Sequence, residues 1–126
     1  RCGAPLYECV PKIFSEAIAP ETAQSLREMM AMAVIKGTSR KAFRMKRREA
    51  SLRGITIGGK TGSLTGEDPP GKYSWFVGMA PMEDPEIAVA AMVINQPKWR
   101  IKASQVAKEG FAAYFQSENL RRLASQ

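Results

Sequence analysis

The chain has 126 residues, a hydrophobic fraction of 44% and a formal net charge of +7. That is room for one domain with one modest core, and no apolar run reaches the ~18 residues a membrane helix needs. Histidine is absent, so Ser-His-Asp and Cys-His chemistry is excluded within these residues, and any base must be Lys, Asp, Glu or Tyr. Cys2 and Cys9 are the only thiols. They make no disulfide scaffold and, with no imidazole to join them, no zinc site, so neither a metal nor a cofactor is expected.

Residues 1–19 mix Pro, Cys and short apolar runs and read as extended chain, with an edge strand near Tyr7–Val10 that Pro11 stops. A helix is expected over 21–36. Pro20 suits its start, Glu21 its first turn, Lys36 its last turn and Gly37 its stop. Ala23, Leu26, Met30, Ala33 and Val34 recur at intervals that make one apolar face, and Met29, Met30 and Met32 are expected in the core or at its margin. A basic connection follows: Lys36, Arg40, Lys41, Arg44, Lys46, Arg47, Arg48 and Arg53 are opposed only by Glu49. Such a stretch could face an anionic surface or nucleic acid. Phe43 is its only aromatic residue, however, which gives base stacking little support, and no nucleic-acid partner is expected.

Ile55-Thr56-Ile57 begins a strand running towards Gly62. Leu64 to Lys72, "LTGEDPPGK", reads as turn chemistry throughout. Tyr73 to Ala80 is a second strand, expected to place one of Trp75 and Phe76 in the core and the other outside. Ile87 to Ile94 is a third strand whose unbroken apolar run predicts burial on both faces. The short connections imply antiparallel neighbours. The last helix is expected over 102–115, with Ala103, Val106, Ala107, Gly110, Phe111 and Tyr114 as its apolar face and a fraying tail from Gln116. The expected fold class is therefore α+β: an antiparallel sheet of about three strands flanked by N- and C-terminal helices.

Two patterns overlap in "RGITIGGKTGS", Arg53 to Ser63. Gly54 to Thr61 fits the phosphate-binding G-x-x-x-x-G-K-[ST], and Lys60-Thr61-Gly62 is a K-T-G element. A phosphate loop curls and opens straight into a helix. Here Ile55, Thr56 and Ile57 are stiff, extended residues, and Gly62, Gly66, Pro69, Pro70 and Gly71 forbid a helix after Thr61. The K-T-G reading asks instead for an edge strand with its Lys and hydroxyls accessible. Simple alternation would put Lys60 and Gly62 on one face and Thr61 and Ser63 on the other. A bulge or twist near Gly59 or Gly62 would be needed to turn them towards one cleft. An ammonium and hydroxyls there would suit a carboxylate, and a free strand N–H a developing oxyanion.

"GGKTGS", a Gly/Pro loop, "YSWFVGMAP", "IAVAAMVIN" and an alanine-rich helix ending "AAYF" together resemble the C-terminal part of the transpeptidase domain of penicillin-binding proteins. "ETAQSLREMMAMAVIKGTSRKAF" is similar to the helix and Gly-Thr turn that precede K-T-G in that family. The resemblance covers roughly residues 15–115. It implies the penicillin-binding/serine β-lactamase-like fold and a serine acyltransferase that acts on D-Ala-D-Ala stem peptides of peptidoglycan and is acylated by β-lactam antibiotics. By the same resemblance Lys60 is catalytic, supporting the electrostatics around a second Ser. Thr61, Gly62 and Ser63 bind substrate, and the Ser63 backbone N–H is an oxyanion-hole donor. The family's S-x-x-K nucleophile motif is absent from these residues, and the one S-x-N match, Ser117-Glu118-Asn119, follows K-T-G instead of preceding it. Residues 1–126 are thus expected to be the C-terminal part of a single transpeptidase domain. That part would be inactive without the N-terminal part that carries S-x-x-K and S-x-N and is its partner. The parent protein is expected on the extracytoplasmic face of the bacterial cytoplasmic membrane, its anchor outside these residues. A non-catalytic basic binding module is the alternative, with phosphate-loop nucleotide binding behind it.

Overall fold

The computed structural model describes residues 12–44, 50–96, 98 and 100–125. The N-terminal strand expected at Tyr7–Val10, the two cysteines and the centre of the basic stretch lie outside them. Helix α1 spans Pro20–Ile35 and a short helix α2 spans Arg40–Phe43. A 3-10 turn at Ala50–Leu52 leads to strands β1 (Gly58–Glu67), β2 (Pro70–Ala80) and β3 (Ile87–Asn95), and α3 (Ala103–Ala124) closes the order. The strands form one antiparallel sheet in the order β1-β2-β3, with α3 across β2 and β3 and α1 against β1.

The core lies between the sheet and the helices. Phe76 and Phe111 are fully buried, and Phe43 of α2 sits with them at ring distances of 5.3 Å and 6.4 Å. Ala103 and Ala107 are equally buried, and these small side chains bring α3 close to the sheet. The buried Lys108 of α3 donates to the Arg44 carbonyl at 3.1 Å and ties α3 to the end of α2. As expected, Phe76 faces the core while Trp75 faces out.

Several expectations need correction. The stretch read as a turn, Leu64 to Lys72, is mostly ladder. Thr65 pairs with Lys72 and Gly66 with Gly71, and only Asp68 and Pro69 lie between the strands. Its glycines serve close packing: a Cβ on Gly66 would come within 2.4 Å of the Tyr73 ring, and one on Gly71 within 2.8 Å of Ile94. Conversely Ile55–Ile57 is not a strand. It reaches the rest of the fold through Met82 N–H donating to the Thr56 carbonyl at 2.9 Å.

β3 is not buried on both faces. Val89, Ala91 and Val93 turn towards the helices, while Ala88, Ala90 and Met92 are exposed. With Leu64, Trp75 and Val77 they make an apolar outer face that nothing covers among the described residues. The run looked continuous because both faces are apolar, yet only one layer of helices is present to cover them. On α1, Leu26, Met29 and Met32 are likewise exposed; only Val34 is buried and Met30 half-buried. Val106 and Gly110 also lie outside the buried face of α3, which runs through Ala103, Ala107, Lys108, Phe111 and Phe115. Finally, α3 does not fray at Gln116. It continues to Ala124, helped by Ser117 Oγ donating to the Tyr114 carbonyl and by a Glu118–Arg121 ion pair, both at 2.7 Å.

Candidate functional site

β1 carries Lys60–Ser63 on an edge of the sheet; β2 pairs one side of it, and no described strand pairs the other. An edge strand keeps alternate N–H and C=O groups free for a ligand. The ladder is one-to-one from Gly58↔Met79 to Glu67↔Pro70, so no bulge interrupts it. Strict alternation follows. Thr61 and Ser63 share the helix-side face with their cross-strand partners Phe76 and Ser74, and Lys60 and Gly62 share the outer face with Val77 and Trp75. The bulge that would turn Lys60 and both hydroxyls towards one cleft is not present.

Thr61, Gly62 and Ser63 line a cavity of about 460 Å³ together with Thr38, Ser74, Lys102 and Ser104. Three local devices build it. The first is the turn that ends α1, where Gly37 N–H reaches the Met32 carbonyl at 3.1 Å and Ser39 N–H the Ala33 carbonyl at 3.3 Å. Next in line, Thr38 Oγ1 lies 3.0 Å from Thr61 Oγ1, in hydrogen-bond contact. The second is Ser74, whose Oγ accepts the Ala103 N–H at 3.0 Å and seats the start of α3 on β2. The third is the buried Asn95 at the end of β3. Its Oδ1 accepts from Arg100 N–H at 2.9 Å and Ile101 N–H at 3.2 Å, and its Nδ2 donates to the Ile101 carbonyl at 2.9 Å. Asn95 thereby fixes the residues just before Lys102.

Of the four expected site residues, the structure brings Thr61, Gly62 and Ser63 to one cavity. Lys60 is exposed on the opposite face, its Nζ donating to the Thr61 carbonyl at 2.8 Å. Thr38, Ser74, Lys102 and Ser104 were not singled out from the sequence. Alternation along β2 would have found Ser74, two positions from the core Phe76, and the Gly37-Thr38 turn was visible without a role. Nothing local marks Lys102 and Ser104, because their place depends on how α3 docks.

Gly54 has φ 76°, as a curled loop would allow, but from Thr61 the chain runs on as strand to Glu67. The helix that a phosphate loop needs is absent there. The Ser117–Asn119 match lies within α3, where Ser117 and Glu118 bond along the helix itself. A larger depression of about 880 Å³ lies at the α1–α2 corner, rimmed by Arg40, Arg44 and Arg53, and holds no part of K-T-G.

An antiparallel sheet backed by helices, with K-T-G on its edge strand, is the sheet portion of the penicillin-binding transpeptidase fold. The chain belongs to that family: the model of the penicillin binding protein transpeptidase domain matches residues 8–116. It is similar to the peptidoglycan D,D-transpeptidase PbpA of Mycolicibacterium smegmatis, 27% identical over 93 residues that make up 71% of this chain and 17% of that protein. Among solved structures, the D,D-transpeptidase domain of a peptidoglycan glycosyltransferase from Eggerthella lenta aligns at TM-score 0.61 and 31% identity, covering 90% of this chain and 24% of that one. Penicillin-binding protein A from M. tuberculosis, solved as its imipenem acyl-enzyme complex, aligns at TM-score 0.52 and 25% identity over 79% of this chain and 20% of that one. The chain therefore spans a quarter or less of the length of each of these proteins. Among the described residues no helix is long and apolar enough to cross a membrane.

Proposed function

We propose that these residues are the C-terminal part of a serine D,D-transpeptidase domain and form one wall of its acyl-transfer cleft. The observation that carries this reading is the edge strand β1, which presents the Thr61 and Ser63 hydroxyls to a cavity beside free backbone groups. In the intact enzyme a serine outside these residues attacks the carbonyl of the D-Ala-D-Ala bond of a stem peptide. The Ser63 N–H stabilises the oxyanion that forms. D-Alanine leaves with a proton on its amine, and the acyl group passes from the serine to an acceptor amine. A β-lactam would enter by the same route and stay on the serine.

The apolar outer face fits this division of labour. Leu64, Trp75, Val77 and Met92 are 52%, 39%, 47% and 46% exposed and lie together on the outer face of the sheet. The N-terminal part of the domain, with S-x-x-K and S-x-N, would cover it. Lys60 lies on the same strand edge as Thr61 and Ser63, from which its ammonium would support the second serine. The working location is the extracytoplasmic face of the membrane, where peptidoglycan is made.

The test is covalent labelling of the full-length protein with a fluorescent penicillin. A stable adduct on a serine in an S-x-x-K upstream of residue 1 is the expected result. A full-length chain with no S-x-x-K and S-x-N upstream, or one that penicillin never labels, would overturn the reading.

A further inference from the structure

The Thr61 hydroxyl is oriented from outside its own strand. Among the described residues its one side-chain partner is Thr38, whose Oγ1 lies 3.0 Å from Thr61 Oγ1. A packed path fixes the two backbones relative to each other. Gly37 carries the chain so near α1 that a Cβ there would lie 2.8 Å from the Ala33 backbone. The Ser39 carbonyl then accepts the Ala42 and Phe43 N–H groups at 2.9 Å and 3.1 Å, which starts α2 directly after Thr38 and Ser39. Phe43 anchors α2, its ring centroid 5.3 Å from that of the fully buried Phe76. Phe76 is in turn the cross-strand partner of Thr61. Thr38 and Thr61 thus stand at the two ends of one route through a buried ring pair, and close packing keeps their hydroxyls in register. A threonine hydroxyl has one proton and two lone pairs. When Thr61 gives its proton to a molecule in the cavity, it can only accept from Thr38. The Thr38 proton then fixes the Thr61 rotor and polarises its O–H.

We infer that Thr38 is a positioning residue for the acyl-transfer site: it donates to Thr61 Oγ1 and so aims the Thr61 proton into the cavity, at an acceptor oxygen of the bound acyl donor. The inference rests on the acyl-transfer reading above.

The experiment follows acylation of the full-length protein against penicillin concentration for wild type, Thr38→Val and Thr38→Ser, each also on a Thr61→Val background that retains Ser63. Thr38→Val should raise the half-saturating concentration about two- to fivefold, the worth of one neutral hydrogen bond, and leave the rate at saturation unchanged. Thr38→Ser, which keeps the donor, should restore wild-type behaviour. On the Thr61→Val background neither change at residue 38 should have any effect. If Thr38→Val reacts like wild type, or costs as much without the Thr61 hydroxyl as with it, the positioning role is refuted while the acyl-transfer reading stands. A fall in the rate at saturation would mean that the strand and its Ser63 N–H have shifted, a structural role, and refutes it as well. Wild type that no penicillin acylates removes both readings together.

Discussion

Gly59→Ala tests whether the packing beneath the K-T-G strand is as tight as the structure describes. A Cβ at this position would lie 2.3 Å from Phe76 Cζ, 2.9 Å from Cε2 and 2.7 Å from the Val77 carbonyl oxygen. The Phe76 ring cannot swing aside freely, because it is fully buried with its centroid 5.3 Å from that of Phe43. Overpacking of this kind costs about 1–3 kcal/mol, and the entropy gained on replacing a strand glycine returns about 0.5–1 kcal/mol. The net expectation is a loss of about 1–2 kcal/mol, read as a fall of roughly 0.5–1 M in the urea midpoint at constant slope. Phe76→Leu removes Cζ and Cε2 and should cost about 1–2 kcal/mol through the lost ring contacts. Combined, the two changes should cost about 1 kcal/mol less than their sum, because two of the three clashing atoms are gone. The rescue stays partial, since the Val77 oxygen belongs to the backbone. Gly62→Ala is the control: its Cβ would meet Trp75 Cβ at 3.4 Å, an ordinary contact, so it keeps the entropy gain without the clash and should raise stability by about 0.5–1 kcal/mol. Additivity of Gly59→Ala and Phe76→Leu to within about 0.5 kcal/mol would refute the argument.

Thr38→Val keeps the side-chain shape and removes the 3.0 Å contact with Thr61. Penicillin acylation of the full-length protein should slow about two- to fivefold, matching ~0.5–1 kcal/mol for a solvent-accessible hydrogen bond, and the same change on a Thr61→Val background should have no effect. Lys60→Ala should reduce acylation at least about tenfold with an unchanged circular dichroism spectrum, because the side chain is exposed and bonds only to its neighbour's carbonyl; normal acylation would remove Lys60 from the mechanism. Asn95→Ala deletes three hydrogen bonds and strands the Ile101 backbone, so urea unfolding should register a loss of about 2–4 kcal/mol, and a loss below about 1 kcal/mol would show that the loop holds without it. Ser39 is fully buried and its Oγ has no partner among the described residues; Ser39→Ala should raise stability by about 1 kcal/mol in the same assay, and a destabilised variant would reveal a bond to that hydroxyl.

What the sequence could and could not disclose follows from the range of each interaction. α1 was legible to within a residue at each end, because Pro20 and Gly37 act locally on the backbone. The three strands and their antiparallel order followed from short connections. The hairpin between β1 and β2 was misjudged because Gly66 and Gly71 carry two meanings. A glycine that permits a turn and a glycine that admits a ring across the ladder look alike until Tyr73 and Ile94 are seen beside them. The far end of α3 differs for a related reason: Ser117 and Asn119 disfavour a helix singly, but the helix passes through them to Leu120 and Leu123 with bonds of its own.

At the site, the same period-two rule both revealed and concealed. It correctly put Thr61 and Ser63 on one face of β1 and Lys60 on the other. A bulge or twist near Gly59 or Gly62 could turn them towards one cleft; the ladder is regular and carries no bulge. The inner face carries Thr61 and Ser63 into a cavity that Lys102 and Ser104 also line, which no pattern in β1 could announce. The outer face keeps Lys60 beside apolar side chains that are exposed in these residues alone. A third strand that is apolar from Ile87 to Ile94 while being covered on one side only is hard to explain by solubility. An apolar face of this kind is a surface that something packs against.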